Sequence, residues 1–431
     1  MRTRLILTIL GITLFCQTAH SEVTLEQCRD LAKSNYPLAR QYDILEATRE
    51  CNLKNASTMW MPHITVGFGG GWINSPFYAS EMSSQLRTFA DIFIPEGLAE
   101  SPWQYQAGAS IVQNIWDGGA AGLRKKVADA EAAREAADTD VSMHEMEKQV
   151  DEIFFTILLL EERKAQANGK IDVLEASLEK IRHYNVEGLV SDKDFKTMQA
   201  EVLSVRQQSE SLASSIAASR LALSLMTGRD MSAEELQIPA EPELAQMDVS
   251  PEFEYISQSR RLLDLSMKKL DVELMPKVGL FANLSYGYPS RNLYRNMTGY
   301  DPLFNAQFGI QVKFNLDPLY TRNSDKAVIR MQQNSLDIQT DMLKLRKDVN
   351  YQSYLCEITR LQNTLDSDRE ILQLRREIRQ AAQDRMDDGY ADTAELIREI
   401  NAESEAALQE SIHRIELLKY QYSLEQNGKT E

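Results

Sequence analysis

The feature that most constrains this chain is the near-absence of helix breakers from two long tracts. Ala120–Val186 contains no proline and only Gly122 and Gly169, and Tyr320–Asp388 contains neither residue type. As helices, tracts of this length run for about 100 Å each, several times the reach of an ordinary globular helix. In the first, Met146, Val150, Ile153, Ile157, Leu160, Lys164, Ala167, Ile171, Leu174, Leu178 and Ile181 step alternately by four and three. That is a heptad seam with one polar interruption, the pattern of a coiled coil, and Asn168-Gly169 marks a point where it could bend. In the second, Val328, Met331, Ile338, Met342, Leu345 and Val349 continue the same stepping, and Leu365, Leu372 and Ile378 shift its phase.

Each tract is followed by a short turn and a second helical stretch, over 192–226 and 393–424. The two turns resemble one another: "EGLVSDKDF" (Glu187–Phe195) and "DGYADTAEL" (Asp388–Leu396). Gly188 and Gly389 suit the left-handed residue that closes a helix. Ser191 and Asp392 then suit N-caps, with Asp194 and Glu395 three positions on, as in a capping box. The pattern predicts two helical hairpins with matched ends.

Period-two stretches also occur in pairs. Met61-Pro62 leads into "HITVGFGGGW" and Met275-Pro276 into "KVGLFANLSYGY". A second pair covers about 103–116 and 304–316, where Phe304, Ala306, Phe308, Ile310, Val312, Phe314 and Leu316 alternate with Asn305, Gln307, Gly309, Gln311, Lys313 and Asn315. Such alternation is a strand with one apolar face. Each half therefore reads helix, strand, loop, strand, long helix, turn, return helix, as an internal two-fold repeat. The first repeat is 22–227, the linker 228–251 and the second repeat 252–431. The loops 73–102 and 289–303 are rich in Pro, Ser, Asn and Tyr and should be exposed.

Composition sets limits on function. Arg2 and Arg4, the apolar run Leu5–Cys16 and the small residues Ala19 and Ser21 form a secretion signal ending before Glu22. A membrane anchor or a lipid-bearing start at Cys16 is the alternative, and bulky Phe15 disfavours the second. The formal net charge is −17 and falls to near −19 without Arg2 and Arg4, which argues against nucleic acid as a partner. No later stretch approaches 18 consecutive apolar residues, so a membrane helix is not expected. Cys28, Cys51 and Cys356 are too few and too odd in number for a disulfide framework, although Cys28 and Cys356 lie at similar distances along their helices from the strands. His63, His144, His183 and His413 have no partner at metal-ligand spacing, and no nucleophile–base constellation stands out. Neither an enzyme nor a cofactor site is expected. The four glycines Gly67, Gly69, Gly70 and Gly71 lack the lysine and following helix of a nucleotide loop.

Four strands of about ten residues, apolar on one face and polar on the other, match the bilayer dimension for tilted barrel strands. Aromatic residues near their ends (Trp72, Trp103, Tyr105, Tyr286, Tyr288) suit a membrane interface. Four strands cannot close, and bare edges are not tolerated in lipid. Three copies would supply twelve. The alternative is a soluble periplasmic coiled-coil adaptor or secretion-accessory protein, which accounts for the helices and leaves the two-faced strands unexplained.

In the order of these elements, the Met-Pro strand entries, the "QNIWDGG" turn at Gln113–Gly119 and the two hairpin ends, the chain resembles the TolC-like outer-membrane efflux proteins over nearly its whole mature length. The resemblance implies an α+β membrane protein. Three copies would complete a twelve-stranded outer-membrane barrel continuous with a long helical periplasmic tunnel. It implies a passive exit duct for small molecules or proteins, with an inner-membrane pump and a periplasmic adaptor as partners. It also implies a periplasmic mouth narrowed by acids at the hairpin ends. Glu395 falls where the family has its first constricting acid and Asp194 where it has an acidic gate partner. Arg398 stands where the family has a second acid, Ala391 in place of a basic latch and Met386 in place of an aromatic one. Arg398 could then pair with Glu395, with Glu399 or with a neighbouring chain. Asp192, Asp392 and Glu399 read as caps or solvated charges.

Overall fold

The computed structural model describes residues 22–74, 102–187, 190–242, 250–290, 301–387 and 393–427. The secretion signal, most of both exposed loops, and Gly188, Gly389, Ala391 and Asp392 of the hairpin ends lie outside them. Among the described residues, seven α-helices and four strands run in the order α1 (Leu25–Asn35), α2 (Arg40–Ser57), β1 (His63–Trp72), β2 (Trp103–Trp116), α3 (Ala120–Val186), α4 (Asp192–Thr227), α5 (Pro251–Val272), β3 (Lys277–Tyr288), β4 (Leu303–Lys313), α6 (Pro318–Asp387) and α7 (Thr393–Asn427). None of these helices is both long and apolar enough to cross a membrane. The chain divides into two compact units, one drawn from 1–41, 139–251 and 341–431, the other from 42–138 and 252–340.

The first unit is helical. Thr24 opens α1 through a full capping box with Gln27, and Leu25, Cys28 and Ala32 form its buried stripe. Alongside lie Val150, Phe154, Phe155, Ile157 and Leu158 of α3, Leu223 of α4, and Ile415 and Leu418 of α7. Each fully buried aliphatic or aromatic side chain contributes about 1.5–3 kcal/mol, so this cluster is the unit's principal apolar core. α4 ends at Gly228, which has φ +69° and closes the helix through its N–H to the Ser224 carbonyl. A side chain there would be strained and would meet the Asn35 amide 2.5 Å away. The chain after Gly228 then docks on the start of α1. The Val23 N–H donates to the Glu235 carbonyl at 2.8 Å, and the Gln237 N–H donates to the Val23 carbonyl at 3.1 Å. Arg220 pins this segment by donating to the carbonyls of Met231 and Glu234 while paired to Glu161.

One ion pair is sunk beside that core. Arg29 of α1 holds Asp151 of α3 through two hydrogen bonds, 2.7 and 2.5 Å, and Gln426 of α7 donates to the same carboxylate. Arg29 also lies 5.7 Å over the Tyr422 ring. Burial pushes Asp151 above the usual aspartate range and Arg29 pulls it back.

The first seam is covered: Met146, Val150, Ile157, Ala167, Leu174 and Ile181 are buried, and Ile153, Leu160, Ile171, Leu178 and the polar interruption Lys164 are half-buried. α3 runs unbroken through Gly169, where Asn168 accepts a 2.7 Å hydrogen bond from Ser209 of α4. The second seam differs. Val328, Met331, Ile338, Met342, Leu345 and Val349 are each more than half exposed, and the buried face of α6 uses Leu336, Leu343, Ile358, Leu361, Leu365 and Leu372. A single chain thus leaves this seam uncovered.

Cys28 and Cys356 are not joined. Both thiols are free, Cys28 buried and Cys356 exposed. Burial pushes the Cys28 thiol pKa up to about 11.

The second unit carries one antiparallel sheet in the order β1-β2-β3-β4. β4 ends at Lys313, and Phe314–Leu316, which continue the alternation, lie beyond it in the turn to α6. Gly118, at φ +71° beside Met275, makes the turn from β2 into α3, and Asp117 accepts from the Gly119 and Ala121 amides at the start of that helix.

Candidate functional site: the hairpin ends and the sheet faces

At the hairpin ends in the first unit, Ser191 caps α4. Its Oγ accepts from the Asp194 amide at 3.2 Å, and its hydroxyl donates to the Asp194 carboxylate at 2.7 Å. Asp194 is therefore engaged within its own turn. Asp192 pairs with Lys196 one helical turn on, both well exposed. Glu395 pairs with Arg385 at 2.8 Å, across the turn between α6 and α7. Arg398 pairs with the adjacent Glu399 at 3.1 Å, and Glu399 is also 3.6 Å from Arg375. Glu403, one turn further, takes Arg379 and Arg376. Each of the four candidate gate residues thus has a partner inside the chain.

Two features join the hairpins. Lys180 of α3 meets Asp387 of α6 at 2.9 Å. Beneath that pair, Leu174 and Ile181 of α3, Met198 and Val202 of α4, Met386 of α6, and Leu396 and Ile400 of α7 form one apolar cluster. Met386 is buried in it. Sequence reasoning missed Lys180, Arg385 and Asp387. A signal existed for part of this: Glu395, Glu399 and Glu403 stand at four-residue spacing on one face of α7, and the arginines of α6 lie within reach across the turn. It also missed His413, whose Nδ1 lies 2.7 Å from the Asp368 carboxylate, both largely buried. Among the described residues no group of His, Cys, Asp and Glu is arranged to hold a metal ion.

In the second unit the register sorts the strand residues by face. Ile64, Val66 and Phe68 of β1 stand opposite Ile111, Ala109 and Ala107 of β2. These continue into Ala282, Leu284 and Tyr286 of β3, then Phe308, Ala306 and Phe304 of β4. The other face aligns Thr65, Ser110, Asn283 and Gln307 in one row, and Gly67, Gly108, Ser285 and Asn305 in the next. Ser110 donates to the Asn283 side chain at 2.8 Å. The apolar face is bare: Phe68 is 92% and Phe308 72% exposed. Among the described residues β1 and β4 each lack a partner strand on their outer edge.

A chain with a two-faced, open-edged sheet and long paired helices has counterparts among solved structures. The outer membrane protein VceC from Vibrio cholerae matches at a TM-score of 0.69 with 11% identity, over 94% of this chain and 97% of that one. The Campylobacter jejuni CmeC outer membrane channel matches at 0.63 with 13% identity, over 93% and 83%. The open state of the Neisseria gonorrhoeae MtrE outer membrane channel matches at 0.62 with 13% identity, over 93% and 88%. The chain has the fold of the TolC-like outer-membrane channels. No protein-family model and no curated protein matches the sequence.

Proposed function

We propose that the chain is the outer-membrane exit duct of an efflux or secretion system. Three copies join their sheets into a twelve-stranded barrel, and their helices form the periplasmic part. The observation that carries this reading is the four-stranded sheet with one bare apolar face, one polar face and two unpaired edges. Such a sheet is costly in water and forbidden in lipid unless closed. Four alternating strands close consistently, because β4 of one copy meets β1 of the next antiparallel. The uncovered heptad seam on α6 supports the same assembly, since a coiled-coil partner can come from a neighbouring copy. The soluble-adaptor alternative leaves Phe68 and Phe308 facing water.

The element order supports reading 22–227 and 252–431 as two repeats joined by 228–251. The duct does no chemistry of its own, and an inner-membrane pump with a periplasmic adaptor supplies energy and cargo. The gate sits at the hairpin ends. There Arg385 neutralises Glu395 and Ser191 engages Asp194, so the mouth is held less by a bare acidic ring than by pairs within each chain. Lys180–Asp387 is the polar contact that ties one hairpin to the other. Half-exposed, it contributes about 1 kcal/mol or less, so the apolar cluster beneath it sets most of the cost of parting the hairpins.

Fractionation tests the location: the protein should band with outer membranes on a density gradient as an oligomer that heating dissociates. Recovery as a soluble periplasmic monomer would refute it. For the gate, Lys180→Ala should raise single-channel conductance, and Glu395→Ala and Asp194→Ala should change block by multivalent cations. Unchanged traces in all three would reduce these residues to caps and surface pairs.

A further inference from the structure

The polar face of the sheet carries a charge pattern that a polar lining alone does not require. The four strands contain no Asp or Glu, in a chain whose formal net charge is −17. Their only Lys or Arg residues are Lys277, the first residue of β3, and Lys313, the last of β4. The register places these two directly opposite one another. Like charges in a cross-strand pair oppose each other at about 5 Å and destabilise the sheet. Both are exposed, and neither makes an ion pair with any described residue.

Their face is fixed by alternation. Lys277 shares a face with Phe281, which lies over Gly309, and with Asn283 and Ser285, and Lys313 shares it with Asn305, Gln307 and Gln311. This is the polar side. Lysines reaching for lipid headgroups would instead rise from the apolar side. Both stand at the end of the sheet where strands meet helices: Lys277 follows α5, Lys313 precedes α6, and His63, on the same face, opens β1. The acids near this end in sequence stand off the strands. Asp117 is occupied by the Gly119 and Ala121 amides, Asp271 by Arg322 and Lys326, and Glu273 and Asp317 lie in the turns.

We propose that in the assembled barrel Lys277 and Lys313 of three copies form a ring of six ammonium groups at the helical end of the lumen, a site that draws in and favours anionic solutes, those bearing carboxylate, sulfate or phosphate groups. The inference rests on the trimeric-barrel reading above. Twelve strands about 4.8 Å apart and tilted by about 40° enclose a wall-to-wall width of about 24 Å. Side chains reaching inward from such a wall bring their charge within one Debye length of the axis, about 10 Å at 0.1 M salt. Rings of Lys or Arg are a general means of selecting anions in pores. The β4 edge, where Lys313 stands, meets the next copy's β1, so the ring is complete only when the sheet is closed.

The test uses the full-length protein, extracted in detergent, weighed for oligomeric state and reconstituted in a planar bilayer, with inorganic tripolyphosphate as the probe. Wild type should be blocked by tripolyphosphate, and the block should weaken steeply as salt rises. Lys277→Gln with Lys313→Gln should weaken it about tenfold or more and move the reversal potential in a KCl gradient towards cation preference. Lys277→Arg with Lys313→Arg should keep the block. A conducting wild type that tripolyphosphate does not block, or a block unchanged in the glutamine variant, overturns the ring and leaves the duct standing. A wild type that forms neither trimer nor pore overturns the duct, and the ring with it. Should the double glutamine variant not assemble, Lys277→Gln and Lys313→Gln made singly decide the matter: each should weaken the block, and a block unchanged in both overturns the ring.

Discussion

Phe308 and Gln307 are neighbours in the middle of β4 and point to opposite faces of the sheet, and that juxtaposition gives a sharp prediction. Phe308 is 72% exposed on the apolar face, in a row with Ile64, Ile111 and Ala282. It is the sixth of the eleven residues Leu303–Lys313, so in a membrane barrel it lies near mid-depth. An arginine on the lipid face at the bilayer midplane costs about 2–4 kcal/mol. At about 1.4 kcal/mol per decade that is roughly a 30- to 700-fold loss in the folding equilibrium. Gln307→Arg places the same charge one residue away, in the row Thr65, Ser110, Asn283, Gln307. There it meets water and should cost at most about 1 kcal/mol. The assay is urea-driven unfolding of protein reconstituted in vesicles, followed by tryptophan fluorescence and by the heat-sensitive oligomer on a gel. Phe308→Arg should unfold at much lower urea or fail to assemble, and Gln307→Arg should behave nearly as wild type. Equal tolerance of both substitutions, or a worse result for Gln307→Arg, would refute the assignment of the two faces.

Other expectations concern the helical unit. Arg29→Ala strands the Asp151 carboxylate in a site where both partners are largely buried and should cost about 3–5 kcal/mol by denaturant titration. Burial already raises the Asp151 pKa, so without Arg29 the fold takes up a proton that the unfolded chain releases above about pH 4; the deficit should shrink as pH falls towards that value, and a pH-independent deficit would contradict the account. Cys28, buried with its thiol pushed to about 11, should resist alkylation at pH 8 in the native protein, whereas the exposed Cys51 and Cys356 react; mass spectrometry of labelled peptides distinguishes them. Ser191→Ala removes the cap of α4 and should cost about 1 kcal/mol in a denaturant melt.

Much of this fold is legible in the sequence because its signals are local. The absence of proline and glycine over Ala120–Val186 leaves little but helix, and the alternation of Phe304 with Asn305 and onward gives both a strand and its face. The failures are of another kind. Val328–Val349 reads as a seam as good as Met146–Ile181, yet the chain leaves it bare. Periodicity reports that a stripe wants cover without saying which molecule provides it. At the hairpin ends, Glu395 and Asp194 were legible as acids beside a turn. The Ser191–Asp194 contact follows from the three-residue spacing of the cap, whereas the neutralisation of Glu395 by Arg385 depends on the rotation of one helix against the other and on side-chain reach, which spacing does not encode. The Lys180–Asp387 pair joins residues more than two hundred positions apart and leaves no local trace.

The central claim is that copies of this chain close their sheets into one pore. Its most direct test is to purify the detergent-extracted membrane fraction, measure the mass of the complex and record its conductance in a planar bilayer. The account predicts a complex of three chains with a discrete, reproducible conductance. A water-soluble monomer with no channel activity would contradict it.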